Sequence, residues 1–124
     1  MSRGLIAIVD DDDAVREAVA SLVRALGYDT ATFGSAEAFL NYEQIGGTSC
    51  LVTDLHMPGL SGLDLQDRLI THGHRIPIIF LTGYPDENVR KRAIKAGAVA
   101  FLGKPCDSDH LLGCLENALS ASGM

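Results

Sequence analysis

Four aspartates, Asp10, Asp11, Asp12 and Asp13, stand side by side directly after the apolar run at residues 5–9. Like charges so placed repel one another unless some are protonated or share a cation. Three more reactive groups follow later apolar runs singly: Asp54 after residues 50–53, Thr82 after 76–81, and Lys104 close behind 99–102. If these groups meet, the carboxylates suit a hard divalent cation, Mg2+ or Mn2+. Magnesium keeps several waters and is usually held by one or two carboxylates plus phosphate oxygens, so a phosphoryl group is the expected co-ligand. The Thr82 hydroxyl and Lys104 ammonium would then offset the charge on its equatorial oxygens during transfer. A carboxylate can itself be the nucleophile, giving an aspartyl phosphate. Asp54 is the best candidate, because it ends an apolar run singly and Pro58 and Gly59 bend the chain away behind it.

Those groups converge only if the apolar runs all end on one rim. The runs at 5–9, 50–53, 76–81 and 99–102 read as strands, with a weaker alternating one at 28–33. Helical patterns lie between them. Val15, Val19, Leu22 and Leu26 share one helical face; Ala36, Phe39 and Leu40 follow a Ser35 cap; Leu111, Leu112, Leu115 and Leu119 follow Asp107. Gly27, Gly46, Gly73 and Gly97 each stand where a left-handed C-cap would end a helix. Five strand–helix units in a row predict a parallel sheet with right-handed crossovers and helices on both faces. The fold class is a doubly wound α/β three-layer sandwich, one domain over residues 1–124. Its working site lies outside the carboxyl ends of the strands. Asp10, Asp11, Asp54, Thr82 and Lys104 all fall there.

A net charge of −6 over 124 residues argues against a general binder of nucleic acid or anionic membrane. The first residues have too short an apolar stretch for a signal peptide, and no run is long enough to span a bilayer. A cytoplasmic location follows as the expectation. Cys50, Cys106 and Cys114 lack CxxC spacing and read as incidental or buried thiols. His72 and His74 flank a glycine and read as a solvated turn rather than a metal site.

The segments IVDDDDAVR, LVTDLHMPGLSGLDL, IIFLTG and AVAFLGKP, in that order at successive strand ends, resemble the receiver domain of two-component response regulators over nearly the whole chain. SAEAFL and TDLHMPGLSG are most similar to FixJ-type members of this CheY-like superfamily. The resemblance, rather than the pattern, implies the flavodoxin-like strand order 2-1-3-4-5. It also implies that Asp54 accepts a phosphoryl group from the phosphohistidine of a histidine kinase or phosphotransfer domain. Asp11, Asp54 and the backbone carbonyl of His56 would hold Mg2+, with Asp10 acting partly through water. Lys104 would pair with Asp54 and then with the phosphoryl group; Thr82 would turn toward it, and Phe101 would move inward. Such a domain promotes only its own phosphorylation and dephosphorylation and is not otherwise an enzyme.

The resemblance further implies a response of the fourth helix, fifth strand and fifth helix, with a homodimer through the first two of these when phosphorylated. Arg90, Lys91, Arg92 and Lys95 crowd that fourth helix, although a solvated face explains them too. Transcriptional control through an output domain or partner is the expected outcome, without direct nucleic-acid contact by this domain. The chain reads as either a stand-alone or an excised receiver. Phe101 lacks the hydroxyl of the tyrosine found in many members. His56 and Tyr84 add bulk beside the acceptor, which predicts a slowly hydrolysing phospho-form. Two rivals remain: a haloacid-dehalogenase-like Mg2+-dependent phosphatase, which would want a second acidic pair late in the chain, and a stand-alone, purely protein-binding receiver.

Overall fold

The computed structural model describes residues 4–105 and 107–122, so Cys106 lies outside the described residues. Strands and helices alternate: β1 (Leu5–Val9), α1 (Asp13–Ala25), β2 (Asp29–Phe33), α2 (Ala36–Leu40), β3 (Cys50–Asp54), α3 (Gly62–Thr71), β4 (Ile78–Thr82), α4 (Glu87–Lys95), β5 (Ala100–Gly103) and α5 (Ser108–Ser122). All pairings are parallel and the sheet order is β2-β1-β3-β4-β5. Chain order therefore reverses between β1 and β3, which opens a crevice at their carboxyl ends.

Strand alternation divides the core into two layers. Ile6, Ile8, Val52, Ile79 and Leu81 point to one face, where Ala20 and Val23 of α1 and Leu111, Leu115 and Ala118 of α5 cover them. Ala7, Val9, Leu51 and Phe80 point to the other, under Phe39 of α2, Leu65 and Leu69 of α3 and Ala93 of α4. The three central strands β1, β3 and β4 are buried nearly throughout, whereas β2 at the edge has no fully buried residue, which is why its sequence signal is weaker.

Several local expectations shift. β4 starts at Ile78 because Pro77 has no N–H to give the ladder, although its carbonyl accepts from the Leu51 N–H at 2.9 Å. On α1 the fully buried residues are Ala20 and Val23; Val15, Val19, Leu22 and Leu26 are half-buried. The small Ala20 lets the helix lie close to the sheet, with Val19, Leu22 and Leu26 packed, partly buried, against the same core. Val15, Ala18, Val19 and Leu22 also line an open groove together with Lys104 and Pro105. Gly27, Gly73 and Gly97 do have positive φ, at 99°, 79° and 108°. Gly46 does not: α2 ends early, at Leu40, and Gly46 sits inside a 3-10 turn, Ile45–Gly47. No helix among the described residues is long and apolar enough to cross a membrane.

Candidate functional site

Each acidic residue at the end of β1 has separate work. Asp12 caps α1, its Oδ1 accepting from the Ala14 and Val15 N–H groups at 2.9 and 3.1 Å, and Asp13 lies in the first turn at the positive end of the helix. Asp10 is only 3% exposed. Its N–H donates to the Phe33 carbonyl at 3.1 Å, and its Oδ1 accepts from the Asp12 N–H at 2.9 Å. Its Oδ2 accepts from the Lys104 ammonium at 2.9 Å. Asp11 is exposed at the rim.

Asp54 closes β3, in register with Leu81 of β4, and its side chain stands against Asp10 and Lys104. Asp54 Oδ1 accepts from the Leu55 N–H at 2.8 Å and lies 3.3 Å from Lys104 Nζ. The ammonium thus bridges two buried carboxylates. One carboxylate oxygen from each of Asp10, Asp11 and Asp54 lies within 4.8 Å of the others, close enough for one cation to be shared. All-oxygen donors at a half-open rim fit Mg2+ or Mn2+. Burial, and after it the neighbouring Asp10 charge, raise the pKa of Asp54 above the ordinary carboxylate value, with Lys104 pulling the other way. Burial works against the Lys104 ammonium, but its bond to Asp10 and the charges of Asp10 and Asp54 outweigh this and raise its pKa. A lone ammonium set against three carboxylates leaves the cluster formally negative.

Thr82 ends β4, fully buried, and its hydroxyl oxygen accepts from the Tyr84 N–H at 3.0 Å. Its carbonyl accepts from the Lys104 N–H at 2.8 Å, tying the end of β4 to the lysine. The Thr82 side chain is thus engaged with its own loop. Phe101, on β5, is half-buried and tilted against Phe80, with ring centroids 6.2 Å apart. The Lys104–Pro105 peptide is cis. His56 and Tyr84 are both exposed, and their rings meet edge-on at 6.2 Å. His72, on the solvated turn, is engaged locally, its Nδ1 donating to the Arg68 carbonyl at 2.9 Å.

Three residues escape a reading of side-chain chemistry because they act on backbone. A Cβ at Gly62 would stand 2.5 Å from the Asp54 carbonyl oxygen and 3.0 Å from Phe80, so α3 can start against Asp54 only with glycine there. Arg16 donates from Nη1 to the Asp10 carbonyl at 2.9 Å. The buried Gln66 amide donates to the Ala93 carbonyl of α4 at 3.1 Å. The glycine spacing in PGLSGLDL is a usable signal for the first; the other two have none.

Residues 6–116 match the family model of the response regulator receiver domain. The chain is 48% identical over 115 residues to the response regulator protein TmoT of Ectopseudomonas mendocina, covering 93% of this chain and 52% of that protein. It is 36% identical over 118 residues to the transcriptional regulatory protein FixJ of Bradyrhizobium diazoefficiens, covering 95% and 58%. The crystal structure of FixJ-N superposes with a TM-score of 0.87 at 36% identity, covering 97% of this chain and 96% of that one. The chain thus spans about half the length of the curated relatives it matches.

Proposed function

The chain belongs to the response regulator receiver domain family, whose members are signalling domains of two-component systems, and we propose that it is a phosphorylation switch with Asp54 as acceptor. The observation that carries this reading is the Lys104 ammonium set between Asp10 and Asp54, at 2.9 and 3.3 Å, beside a three-carboxylate cluster. Such a cluster has a surplus of negative charge before any phosphoryl group arrives, so it is built to receive cations and then an anion between them.

The donor is the phosphohistidine of a cognate histidine kinase or phosphotransfer domain. Asp54 Oδ1 is occupied by the Leu55 N–H and Lys104, which leaves Oδ2 to attack phosphorus. A P–O bond forms as the P–N bond breaks, and the imidazole leaves with the electron pair. A bound Mg2+, held by Asp10, Asp11, Asp54 and the His56 carbonyl, would neutralise the phosphoryl oxygens. Lys104 then transfers its pairing from Asp54 to the phosphoryl group. Thr82 exchanges the Tyr84 N–H for a phosphoryl oxygen, to which its hydroxyl donates, and Phe101 follows into the vacated space. The α4-β5-α5 face changes as a result, to the point of forming a homodimer through α4 and β5, and transcription responds through an output domain or partner. Residues 1–124 act as one receiver unit in the cytoplasm, and the aspartyl phosphate is lost by slow self-catalysed hydrolysis.

Acetyl phosphate labelling with Mg2+ tests this. Label should appear in the wild type and vanish in Asp54→Asn; label that survives that change but is lost on changing Asp10 would favour a dehalogenase-type phosphatase instead. Of that rival's late acidic pair, Asp107 is engaged locally, its carboxylate accepting from the Asp109 N–H at 2.8 Å at the head of α5. His56 and Tyr84 shield the site from water, so the label should persist for minutes or longer; loss within seconds would contradict their shielding role.

A further inference from the structure

Among the described residues, Arg16 is the one cation besides Lys104 that reaches into the acidic rim, and it does so through backbone. Its Nη1 donates to the Asp10 carbonyl at 2.9 Å, while Nη2 pairs with the Asp13 carboxylate. Only 20% of its side chain is exposed. The guanidinium also lies against the loop after β2, where a Cβ on Gly34 would stand 3.4 Å from Nη1. Gly34 follows Phe33, whose carbonyl accepts from the Asp10 N–H at 3.1 Å. The Asp10 main chain is therefore gripped at both ends, by β2 at its nitrogen and by Arg16 at its oxygen.

The Asp10 carbonyl belongs to the peptide that joins Asp10 to Asp11. That unit is planar, so fixing its oxygen fixes the direction in which the chain enters Asp11. Asp10 has its carboxylate anchored by Lys104 and the Asp12 N–H. Asp11, exposed at the rim, depends on its backbone for placement. The two-pronged guanidinium suits this, because its donors keep a fixed geometry that an ammonium lacks.

We propose that Arg16 is a positioning residue for the divalent cation: it clamps the Asp10–Asp11 peptide so that both carboxylates face Asp54. The proposal rests on reading Asp10, Asp11 and Asp54 as the cation site. Charge alone makes the opposite prediction. A guanidinium near the site repels a second cation, so if Arg16 acted merely as a charge its removal would tighten Mg2+ binding.

Calorimetric titration of Mg2+ into the intact chain, with thermal unfolding in chelator alongside, decides between them. Removing partners that orient metal ligands costs roughly ten- to a hundredfold in affinity, and Arg16→Gln should raise the Mg2+ Kd by about the lower figure. Arg16→Lys, which keeps the charge but only one prong, should fall between that variant and the wild type. Gly34→Val leaves Arg16 in place but drives methyl groups toward the guanidinium; it should weaken Mg2+ binding as well, and it decides the matter if Arg16→Gln unfolds. An unchanged or lower Mg2+ Kd in folded Arg16→Gln, or in Gly34→Val where Arg16→Gln does not fold, would overturn the proposal. Failure of the wild type to bind Mg2+ saturably would instead remove the cation site itself, a result distinguishable before any variant is made.

Discussion

Replacing Asp54 by Asn should stabilise the protein in chelator and destabilise it, relative to wild type, in Mg2+. One carboxylate oxygen of Asp54 lies within 4.8 Å of one from Asp10, and Oδ1 lies 3.3 Å from Lys104 Nζ. With an effective dielectric constant of about 20, the repulsion is at least about 3.5 kcal/mol and the attraction about 5 kcal/mol, a net gain of at most about 1.5 kcal/mol for the charged form. Against that stands desolvation of a carboxylate 8% exposed, a cost of several kcal/mol per ion. The neutral side chain should therefore win by roughly 1 to 2 kcal/mol, and asparagine still accepts from the Leu55 N–H. In a domain of this size each kcal/mol shifts the melting midpoint by about 4 °C, so Asp54→Asn should melt several degrees higher in chelator.

The sign with pH follows from the raised Asp54 pKa. Below the unfolded value near 3.8 both forms are neutral and the variants should match; the gap opens as pH rises through the folded pKa of Asp54. Saturating Mg2+ reverses the order. At a hundred times its Kd, Mg2+ stabilises the wild type by about 2.7 kcal/mol, and Asp54→Asn, with one ligand fewer, gains much less. Differential scanning calorimetry in chelator and in Mg2+ reads both midpoints. A variant that melts at or below the wild type in chelator would refute the charge-crowding argument, and parallel gains in Mg2+ would refute Asp54 as a ligand.

Thr82→Val removes the acceptor for the Tyr84 N–H at constant shape, at a cost of about 1 kcal/mol. Labelling of Asp54 should persist while beryllofluoride no longer shifts the amide resonances of α4 and β5, and unchanged shifts would release Thr82 from the switch. Gly62→Ala forces a methyl group toward the Asp54 carbonyl and Phe80, and should lower stability by about 1–3 kcal/mol in urea unfolding while slowing labelling; a neutral effect would mean that the start of α3 gives way easily. Burial pushes the Cys50 thiol up to about 12, so at pH 8 it should resist alkylation until the protein unfolds. Since the unfolded thiol ionises near 9.0, the associated stability is intact below that pH and lost as pH rises toward 12, which a Cys50→Ala comparison of alkaline unfolding would measure.

The strand ends were legible because a buried strand that stops at a charged residue advertises its own terminus. Asp10 after β1, Asp54 at the end of β3 and Lys104 after β5 stand where the apolar runs predict them. Asp12 and Asp13 start α1 for a reason as local, since caps act within a turn of themselves. Gly46 misled because a glycine before an apolar run marks a helix end only when a helix reaches it, and α2 is five residues long. The Val15–Val19–Leu22 stripe was legible as the apolar side of α1, and Val19 and Leu22 do pack on the core, but periodicity does not say that the residues buried outright are Ala20 and Val23. Arg16 and Gln66 were illegible for a deeper reason: each bonds a carbonyl, a group every residue carries, so the sequence has no letter for its partner.

In the proposed switch, how a small event at Asp54 would reach the α4 face depends on what holds that helix still. Only Ala93 of α4 is buried. Its basic residues are exposed, and the Arg92–Asp67 pair to α3, at 3.8 Å with both partners in solvent, contributes about 1 kcal/mol at most. Beyond this the Gln66 amide holds the Ala93 carbonyl at 3.1 Å, a buried bond near the C-terminal end of the helix. The N-terminal end, which follows Thr82 and Tyr84, has instead its own cap, Asp86 accepting from the Asn88 and Val89 N–H groups at 2.8 and 3.2 Å. A cap of that kind travels with its helix and ties it to nothing else. α4 is held at the end far from Asp54 by Ala93 and the Gln66 bond, while the near end rests on the core through the half-buried Val89, so in the proposed switch redirecting the Thr82 hydroxyl would pivot the helix about Gln66 rather than translate it.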